Sequence, residues 1–347
     1  MPGLIEPLAT VWIVAIFVFG AVVIGVAGSR LAKTADALAD RTHMGEAVTG
    51  ALFLGAATSL PGLVTSVTAA VNDLPVMAID NALGGIAAQT AFLGIADIFH
   101  RRANLEHTAA SLANLMQGGA LIALLAMVLV AANVEIPTVG GVHLITPIMV
   151  VFYCYGLRLA ASARAHPMWV AKQTGETQAD DSEEESTEAL RQSTTRLWCV
   201  FAGLGAACGL AGWAVASSGI VAIGRFGLSE SVVGGIFTAV SSSLPELVTS
   251  IAAVRAGAYT LAVGGIIGGN AFDTLFVAAS DVAYREGSIY SEAGTSATVL
   301  VAVSILMTAV LSMGLLRRER HGVANIGLES MSILVLYALT VWYLVAS

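Results

Sequence analysis

Long apolar runs, separated by short polar stretches, follow one another along the whole chain. A helix that crosses the hydrocarbon core of a bilayer needs about 20 predominantly apolar residues. Runs of this kind predict ten transmembrane helices, at 11–31, 46–71, 76–99, 112–132, 144–162, 197–223, 231–254, 259–282, 295–316 and 324–345. The pattern therefore predicts an all-α membrane protein.

The composition supports the membrane assignment. Hydrophobic residues make up 56% of the chain and charged residues only 12%, whereas soluble domains carry about 25% charged residues. A net charge of -8, with only 16 Lys and Arg, leaves no basic face for nucleic acid. The three cysteines lie in apolar runs without metal-type spacing, so neither zinc nor disulfide chemistry is expected.

The basic residues lie mainly on one side of the predicted membrane. The connections after the odd-numbered helices, with two helix ends on the same side, carry 14 of the 16 Lys and Arg residues. The positive-inside rule then places these connections in the cytoplasm and both termini outside. We expect an integral protein of a prokaryotic plasma membrane, whose first apolar run is retained because no basic stretch precedes it.

An acidic connection divides the chain into two halves. Residues 175–188 contain seven carboxylates and no apolar anchor, and their spacing is not that of an EF-hand loop. We interpret 1–165 as a first five-helix half, 166–195 as an acidic cytoplasmic linker and 196–347 as a second five-helix half.

The two halves contain a sequence repeat. Residues 46–97 align without a gap with residues 230–281, at an offset of 184, and 19 of the 52 positions are identical. The first copy begins on a helix that runs outward and the second on a helix that runs inward, so the repeats are inverted. In such folds the substrate site usually lies near the midplane, at the repeat interface.

Both copies carry a proline in the middle of a predicted span, Pro61 and Pro245. Proline lacks a backbone donor and interrupts a helix, so broken helices are expected here. Hydroxyl groups lie just before each proline and offer oxygen ligands suited to hard cations. These residues are Thr58, Ser59, Ser241, Ser242 and Ser243.

Two carboxylates lie at bilayer depth in the second copy, Glu246 and Asp273. A charge at that depth costs about 2.5–3.5 kcal/mol even on the permissive insertion scale. No Lys or Arg lies at matching depth in the repeat helices, so a transported cation is the expected partner; a permanently protonated acid is the alternative. Asn270 lies three residues before Asp273 and shares its helix face.

The stretch Ser241-Ser242-Ser243-Leu244-Pro245-Glu246, followed by Asn270 and Asp273, resembles the second α-repeat of the calcium/cation antiporter superfamily. Residues 57–66 resemble the corresponding first repeat. The resemblance extends along nearly the whole chain. It implies a sodium/calcium exchanger-like fold, with two five-helix halves around a central cation site worked by alternating access. It also implies calcium as substrate, exchanged for sodium or protons.

The first repeat departs from that family pattern. Gly62 stands where both family repeats have glutamate, and Ile86 and Gln89 stand opposite Asn270 and Asp273. Among the family asparagines Asn81 is kept. We expect two central anions, Glu246 and Asp273, with further metal ligands and a reduced number of counter-ions per divalent cation. These further ligands are Asn270, Gln89, Asn81, Thr58, Ser59, Ser242 and Ser243.

Asp80 occupies a position that is Gly264 in the other repeat. It either restores a third central charge or is solvated at the aqueous entrance. Asp97 and Asp281 match each other near helix ends, beside Arg101 and Arg285. We expect interfacial salt bridges there.

Three classes of function are compatible with these sequence features. The first is a secondary-active cation antiporter, and the second is a transporter of the same fold for another cation, such as sodium or magnesium. The third is a non-transporting scaffold or sensor, which Gly62 and Ile86 favour and Glu246, Asn270 and Asp273 oppose. An enzyme is not expected, because no catalytic or nucleotide-binding motif occurs. No cofactor is expected beyond the transported cations, and the oligomeric state stays open.

Overall fold

The computed structural model of the protein describes residues 2–42, 55–99, 103–135, 137–172, 174, 193–320 and 327–347. The acidic segment 175–188 and the first part of the second predicted span, residues 46–54, lie outside the described residues. The division into 1–165, 166–195 and 196–347 therefore stays a prediction.

The described residues are almost entirely helical. The α-helices are α1 (Thr10–Arg41), α2 (Leu60–Val71), α3 (Pro75–Phe99), α4 (Leu105–Thr108), α5 (Leu112–Asn133), α6 (Ile145–Ala165), α7 (Thr194–Phe226), α8 (Glu230–Val232), α9 (Ala239–Ser242), α10 (Leu244–Ala256), α11 (Tyr259–Ala283), α12 (Thr295–Arg317) and α13 (Leu328–Ala346). A π-helix (Val233–Thr238) joins α8 to α9. The strands β1 (Thr138–Val139) and β2 (Val142–His143) form an antiparallel hairpin between α5 and α6.

Within the described residues, eight helices are long and apolar enough to cross a membrane, and the bent pair Glu230–Ser242 with Leu244–Ala256 makes a ninth. Helix α2 is a shorter apolar helix and forms the described end of the second predicted span. The predicted fold class, an all-α membrane protein of about ten helices, is confirmed.

Local sequence signals explain several helix ends. The hydroxyls of Ser111, Ser193 and Ser229 accept backbone amide hydrogen bonds at the starts of α5, α7 and α8, which satisfies amides that lack a helical partner. Gly227 and Gly257 end α7 and α10 with φ angles of 66° and 86°. Glycine adopts this left-handed conformation without a steric penalty from Cβ.

Both predicted helix interruptions are present. The helical pattern breaks at Ser59 and at Ser243, and α2 and α10 each begin immediately afterwards with proline in the first turn. Proline is tolerated there because the first-turn amides have no intrahelical acceptor. The second break bends the span by 43°.

Helices α3 and α11 lie at the centre of the protein. In the most apolar stretch of each helix, 94% of residues are buried in α3 and 72% in α11, against 22% in α1. The largest apolar core draws mainly on α3, α5, α6, α11 and α12, while α1 and α7 bury residues in small clusters of their own. The α1–α7 pair packs against α2 and α10, the two helices that follow the breaks at Ser59 and Ser243.

The repeat extends beyond 46–97 and 230–281. A Cβ on Gly28 of α1 would lie 2.4 Å from Pro245 Cγ, and a Cβ on Gly212 of α7 would lie 2.6 Å from the Pro61 carbonyl oxygen. Gly28 and Gly212 are separated by the same 184 positions, within Gly-Val-Ala-Gly at 25–28 and Gly-Leu-Ala-Gly at 209–212. Each half therefore packs a helix glycine on the other half's proline.

The salt-bridge prediction for Asp281 was wrong. Asp281 is fully buried and accepts hydrogen bonds from the backbone amides of Ile289 (3.0 Å) and His143 (2.8 Å) and from the Thr146 hydroxyl (2.7 Å). Both ion pairs found among the described residues involve Arg317 rather than Arg285. Burial removes water, so the carboxylate takes donors from the chain itself.

Asp97 is held in the same way. It is fully buried and accepts backbone hydrogen bonds from Leu105 (2.7 Å) and Gly327 (2.9 Å); Arg101 lies outside the described residues. Leu105 and Gly327 are the repeat equivalents of Ile289 and His143, at the same offset of 184. Each aspartate thus joins one amide of its own half to one amide of the other half.

Candidate functional site

The two helix breaks meet the two central helices at the repeat interface. Gln89 Nε2 on α3 donates to Asp273 Oδ2 on α11 (2.6 Å) and to Ser243 Oγ (3.2 Å). Ser59 Oγ donates to Asp273 Oδ1 (2.6 Å). The structure therefore brings together one hydroxyl from each break, the α3 amide and the α11 carboxylate.

Glu246 lies beside this group in the first turn of α10, where the helix dipole favours negative charge. Its residue is 5% exposed, and Asp273 is 2% exposed. Neither Glu246 carboxylate oxygen has a hydrogen-bond partner among the described residues. The Thr58 hydroxyl and the Asp273 carboxylate are both close enough to interact with it.

Four buried acceptor oxygens of the predicted site residues lack a donor within the described part of the chain: both carboxylate oxygens of Glu246, Oε1 of Gln89 and Oδ1 of Asn270. Buried polar atoms without partners are rare in folded proteins. Carboxylate and amide oxygens are the ligands that hard cations such as Ca²⁺ and Na⁺ prefer. This donor set is therefore suited to a cation.

The site carries negative charge without a basic partner. None of the ion pairs among the described residues includes Glu246 or Asp273. Burying an ionised carboxylate without compensation costs several kcal/mol, so a cation or a proton has to neutralise the pair. No group of three or more His, Cys, Asp or Glu side chains suited to a metal occurs in the described ranges, so amide and hydroxyl oxygens would complete the shell.

Asn270 is positioned by a residue that the sequence reasoning missed. Its Nδ2 donates to Thr90 Oγ1 on α3 (2.9 Å), which leaves Oδ1 as an unpartnered acceptor. Thr90 and Thr274 are identical in the repeat alignment. That identity was the available signal for a structural role of Thr90.

The structure explains how the protein accommodates Gly62 in place of the family glutamate. A Cβ at Gly62 would lie 2.6 Å from Cε2 of Phe276 and 3.5 Å from Ser242 Oγ. The edge of the Phe276 ring therefore occupies the space that a first-repeat side chain would need, and Ser242 lines the same space.

Asn81 makes its hydrogen bonds away from the Glu246–Asp273 pair. Its Nδ2 donates to Ser66 Oγ (2.8 Å) and to the Gly62 carbonyl (3.2 Å), and its Oδ1 accepts from Thr238 Oγ1 (2.7 Å). These bonds join α2, α3 and the π-helix. None of the Asn81 hydrogen bonds found among the described residues reaches Glu246 or Asp273.

Asp80 also lies apart from the central group. It is nine residues before Gln89 on α3, which corresponds to about 13 Å along the helix axis, and it lies near Glu230, Ser231 and Ser296. It is fully buried, so the expectation of a solvated side chain does not describe it either.

Sequence comparison assigns this arrangement to a family. The profile described as "Sodium/calcium exchanger protein" matches residues 12–157 and 196–346, which covers both halves. The chain belongs to the sodium/calcium exchanger protein family. The resemblance seen in the repeat motifs is thereby confirmed.

Similarity to individual proteins extends over only about a quarter of the chain. The inner membrane protein YrbG of Escherichia coli strain K12 is 37% identical over 93 residues, which is 26% of this chain and 29% of YrbG. The sodium/calcium exchanger MaX1 of Methanosarcina acetivorans is 30% identical over 89 residues, 25% of each protein. The aligned parts thus span less than a third of these relatives.

The fold matches a solved structure over nearly its whole length. The sodium-calcium exchanger NCX_Mj superposes with a TM-score of 0.60 at 20% identity, covering 96% of this chain and 99% of that one. At this identity the likeness shows the exchanger fold alone.

Proposed function

We propose that this exchanger-family protein is a secondary-active antiporter that binds calcium between Glu246 and Asp273 and exchanges it for sodium or protons. The observation that carries the proposal is the buried carboxylate pair without a basic partner among the described residues. In a membrane interior such a pair is stable only when cations or protons neutralise it.

Calcium suits the oxygen ligands of this site. Calcium takes six to eight oxygen ligands in flexible geometry, and Glu246, Gln89 and Asn270 supply four unpartnered oxygens. The Thr58 hydroxyl lies beside Glu246, and Ser242 Oγ lies 3.5 Å from where a Gly62 Cβ would be. The name of MaX1, a sodium/calcium exchanger, supports the same cations for this chain.

The charge of the site limits its stoichiometry. Two carboxylates are neutralised by one divalent ion or by two monovalent ions, and Gly62 offers no third charge. Excess positive charge at low dielectric is costly. We therefore infer an electroneutral exchange of one divalent ion for two monovalent ions.

Alternating access would use the α1–α7 pair. This pair packs on α2 and α10 and has small apolar clusters of its own. Movement of the pair along the two helices would expose the site to one side at a time. With both termini outside, the starts of α3 and α12 face outward in a prokaryotic plasma membrane.

A cation-binding sensor without transport is the second candidate, because Phe276 fills the place of the first-repeat side chain. Such a protein would bind calcium and carry no flux. Sodium or magnesium transport by the same fold would show as flux without calcium dependence.

The test is flux in proteoliposomes with sodium, proton, magnesium and calcium gradients varied separately. Glu246→Gln keeps the shape of the side chain and removes its charge, so calcium flux should fall by at least about tenfold. Glu286→Gln, which removes an exposed carboxylate, is the matched control. Calcium flux equal in Glu246→Gln and the parent would contradict the site, and robust three-for-one electrogenic exchange would contradict the stoichiometry.

A further inference from the structure

Asp80 is a second buried carboxylate that the central site does not use. Its residue has no solvent-exposed area, and neither carboxylate oxygen has a hydrogen-bond partner of good geometry among the described residues. The hydroxyls of Ser231 and Ser296 lie beside the carboxylate. The same two hydroxyls are hydrogen-bonded to each other at 2.9 Å.

Close helix packing separates Asp80 from the central site. One turn further along α3, a Cβ on Gly84 would lie 2.3 Å from the Gly235 carbonyl oxygen, so the two backbones are in contact. Gln89 and its bond to Asp273 lie beyond that contact. Asp80 and Asp273 therefore belong to different layers of the repeat interface.

The other half of the fold shows that this position does not require an acid. Gly264 is the repeat equivalent of Asp80, and Asn114 Oδ1 lies 2.7 Å from where a Gly264 Cβ would be. A neutral amide, held by the carbonyls of Ala109 and Thr260, fills that space. The charge of Asp80 is thus an addition to the fold and needs its own compensation.

The charged group that faces Asp80 has the same sign. Glu230 interacts with Asp80, and its Oε2 accepts a hydrogen bond from the Met77 backbone amide at 3.1 Å. Glu230 is half-buried, so part of this residue reaches the surface. Two acids that no basic group faces within the described part of the chain attract a small cation.

We propose that Asp80, Ser231 and Ser296 form a separate site for one monovalent cation, a sodium ion or a proton, on the predicted outer side. One fully buried negative charge is balanced by one positive charge, and carboxylate and hydroxyl oxygens are ligands for both ions. This cation is additional to the two monovalent ions exchanged at the central site, so the proposed one-for-two exchange does not include it. Binding itself does not depend on it.

The test is equilibrium binding of ²²Na⁺ to the purified full-length protein in detergent, in parallel with potentiometric proton uptake in choline buffer. For a sodium site, Asp80→Asn should bind one ²²Na⁺ fewer per molecule than the parent. For a proton site, it should take up one proton fewer as the pH is lowered from about 9 to about 6, a window that lies above the range in which ordinary carboxylates, with a reference pKa near 3.9, gain a proton. Asp73→Asn removes an exposed carboxylate near the same helix start and should match the parent in both assays.

A second variant covers the case in which Asp80→Asn does not fold. Ser296→Ala keeps the charge and removes one hydroxyl, so it should weaken the affinity of the site several-fold. Glu246→Gln should abolish calcium flux and leave the Asp80-dependent binding intact, which separates this proposal from the antiport. Sodium and proton binding that are unchanged in a folded Asp80→Asn variant would overturn it, as would unchanged affinity in Ser296→Ala if Asp80→Asn does not fold.

Discussion

Gln89 and Asp273 occupy equivalent positions in the two repeats, 184 residues apart, and their side chains are hydrogen-bonded to each other at 2.6 Å. Two equivalent positions can touch only where the pseudo-two-fold axis passes between them. An amide facing an acid is stable in this arrangement, whereas two ionised acids at this distance would repel each other. The chain thus avoids repulsion at the axis by making its two halves different.

Gln89→Glu should make stability depend on calcium. The new carboxylate would lie next to Asp273, and repulsion at that distance amounts to several kcal/mol at an effective dielectric of about 20. We expect a lower unfolding temperature in chelator and recovery on calcium addition, measured by tryptophan fluorescence in detergent. Gln89→Met removes the hydrogen bond and one proposed ligand without adding charge, so calcium should raise its unfolding temperature no more than it raises that of the parent. A calcium-independent loss in Gln89→Glu would contradict the placement of the cation at this pair.

Restoring the family glutamate should change the charge moved per cycle. Gly62→Glu alone would collide with the Phe276 ring, 2.6 Å from the new Cβ, so we pair it with Phe276→Leu. The double variant adds a third central anion and should convert electroneutral exchange into electrogenic exchange. The measurement is calcium flux under a clamped membrane potential.

The control for that double variant is Gly62→Gln with Phe276→Leu, which has the same shape and no new charge. Its flux should stay independent of membrane potential. Voltage-independent flux in the glutamate variant, with activity retained, would contradict the charge-counting argument.

Gly212→Ala should slow transport and destabilise the protein. Its Cβ would lie 2.6 Å from the Pro61 carbonyl oxygen, a backbone atom that cannot rotate away. Overpacking of this kind costs about 1–3 kcal/mol. Gly203→Ala on the same helix has no neighbour within 4 Å and should be neutral or stabilising by up to about 1 kcal/mol. Thermal unfolding and flux in both variants check this, and equal behaviour would exclude a tight α7–α2 contact.

Glu106 should make stability fall as the pH rises. Burial, and then repulsion by Asp97, raise the pKa of Glu106 from 4.5 to about 7. The folded state therefore holds a proton that the unfolded state loses, so stability is highest below pH 4.5 and falls until the pH has passed about 7. A shift of this size corresponds to roughly 3 kcal/mol.

The measurement is the unfolding temperature between pH 4.5 and 8 for the parent and Glu106→Gln. The variant should show a flatter profile across that window. Glu135→Gln removes an exposed carboxylate and should retain the parent profile. If the unfolding temperature fell equally steeply with pH in the parent and in Glu106→Gln, the pH dependence would not come from Glu106.

Most of the correct predictions follow from the constant offset of 184 residues between the two repeats. Once 46–97 and 230–281 are aligned, Pro61 and Pro245 locate the two breaks, and Gln89 and Asp273 become equivalent residues that an inverted fold brings to its axis. The family assignment rests on the same motifs. These features depend only on which residues of the two repeats are equivalent, and that equivalence can be read from the sequence alone.

Features that depend on depth or on distant backbone atoms were not predicted. Asp80 was considered as a third central charge, but its nine-residue separation from Gln89 becomes about 13 Å on a helix. For Asp281 the sequence favours the nearby Arg285, whereas one of its backbone donors is His143 from the other half of the chain; Asp97 likewise accepts an amide from the other half, that of Gly327. No local pattern encodes a donor about 140 or 230 residues away.

The exchanged hydrogen bonds of Asp97 and Asp281 bear on the origin of the protein. Each carboxylate takes one of its two backbone donors from the opposite half, so neither half satisfies its own buried acid. A single ancestral five-helix chain would meet this need by pairing with an antiparallel copy of itself. In the present protein the same contacts hold one polypeptide together, and each half serves as the other's folding partner.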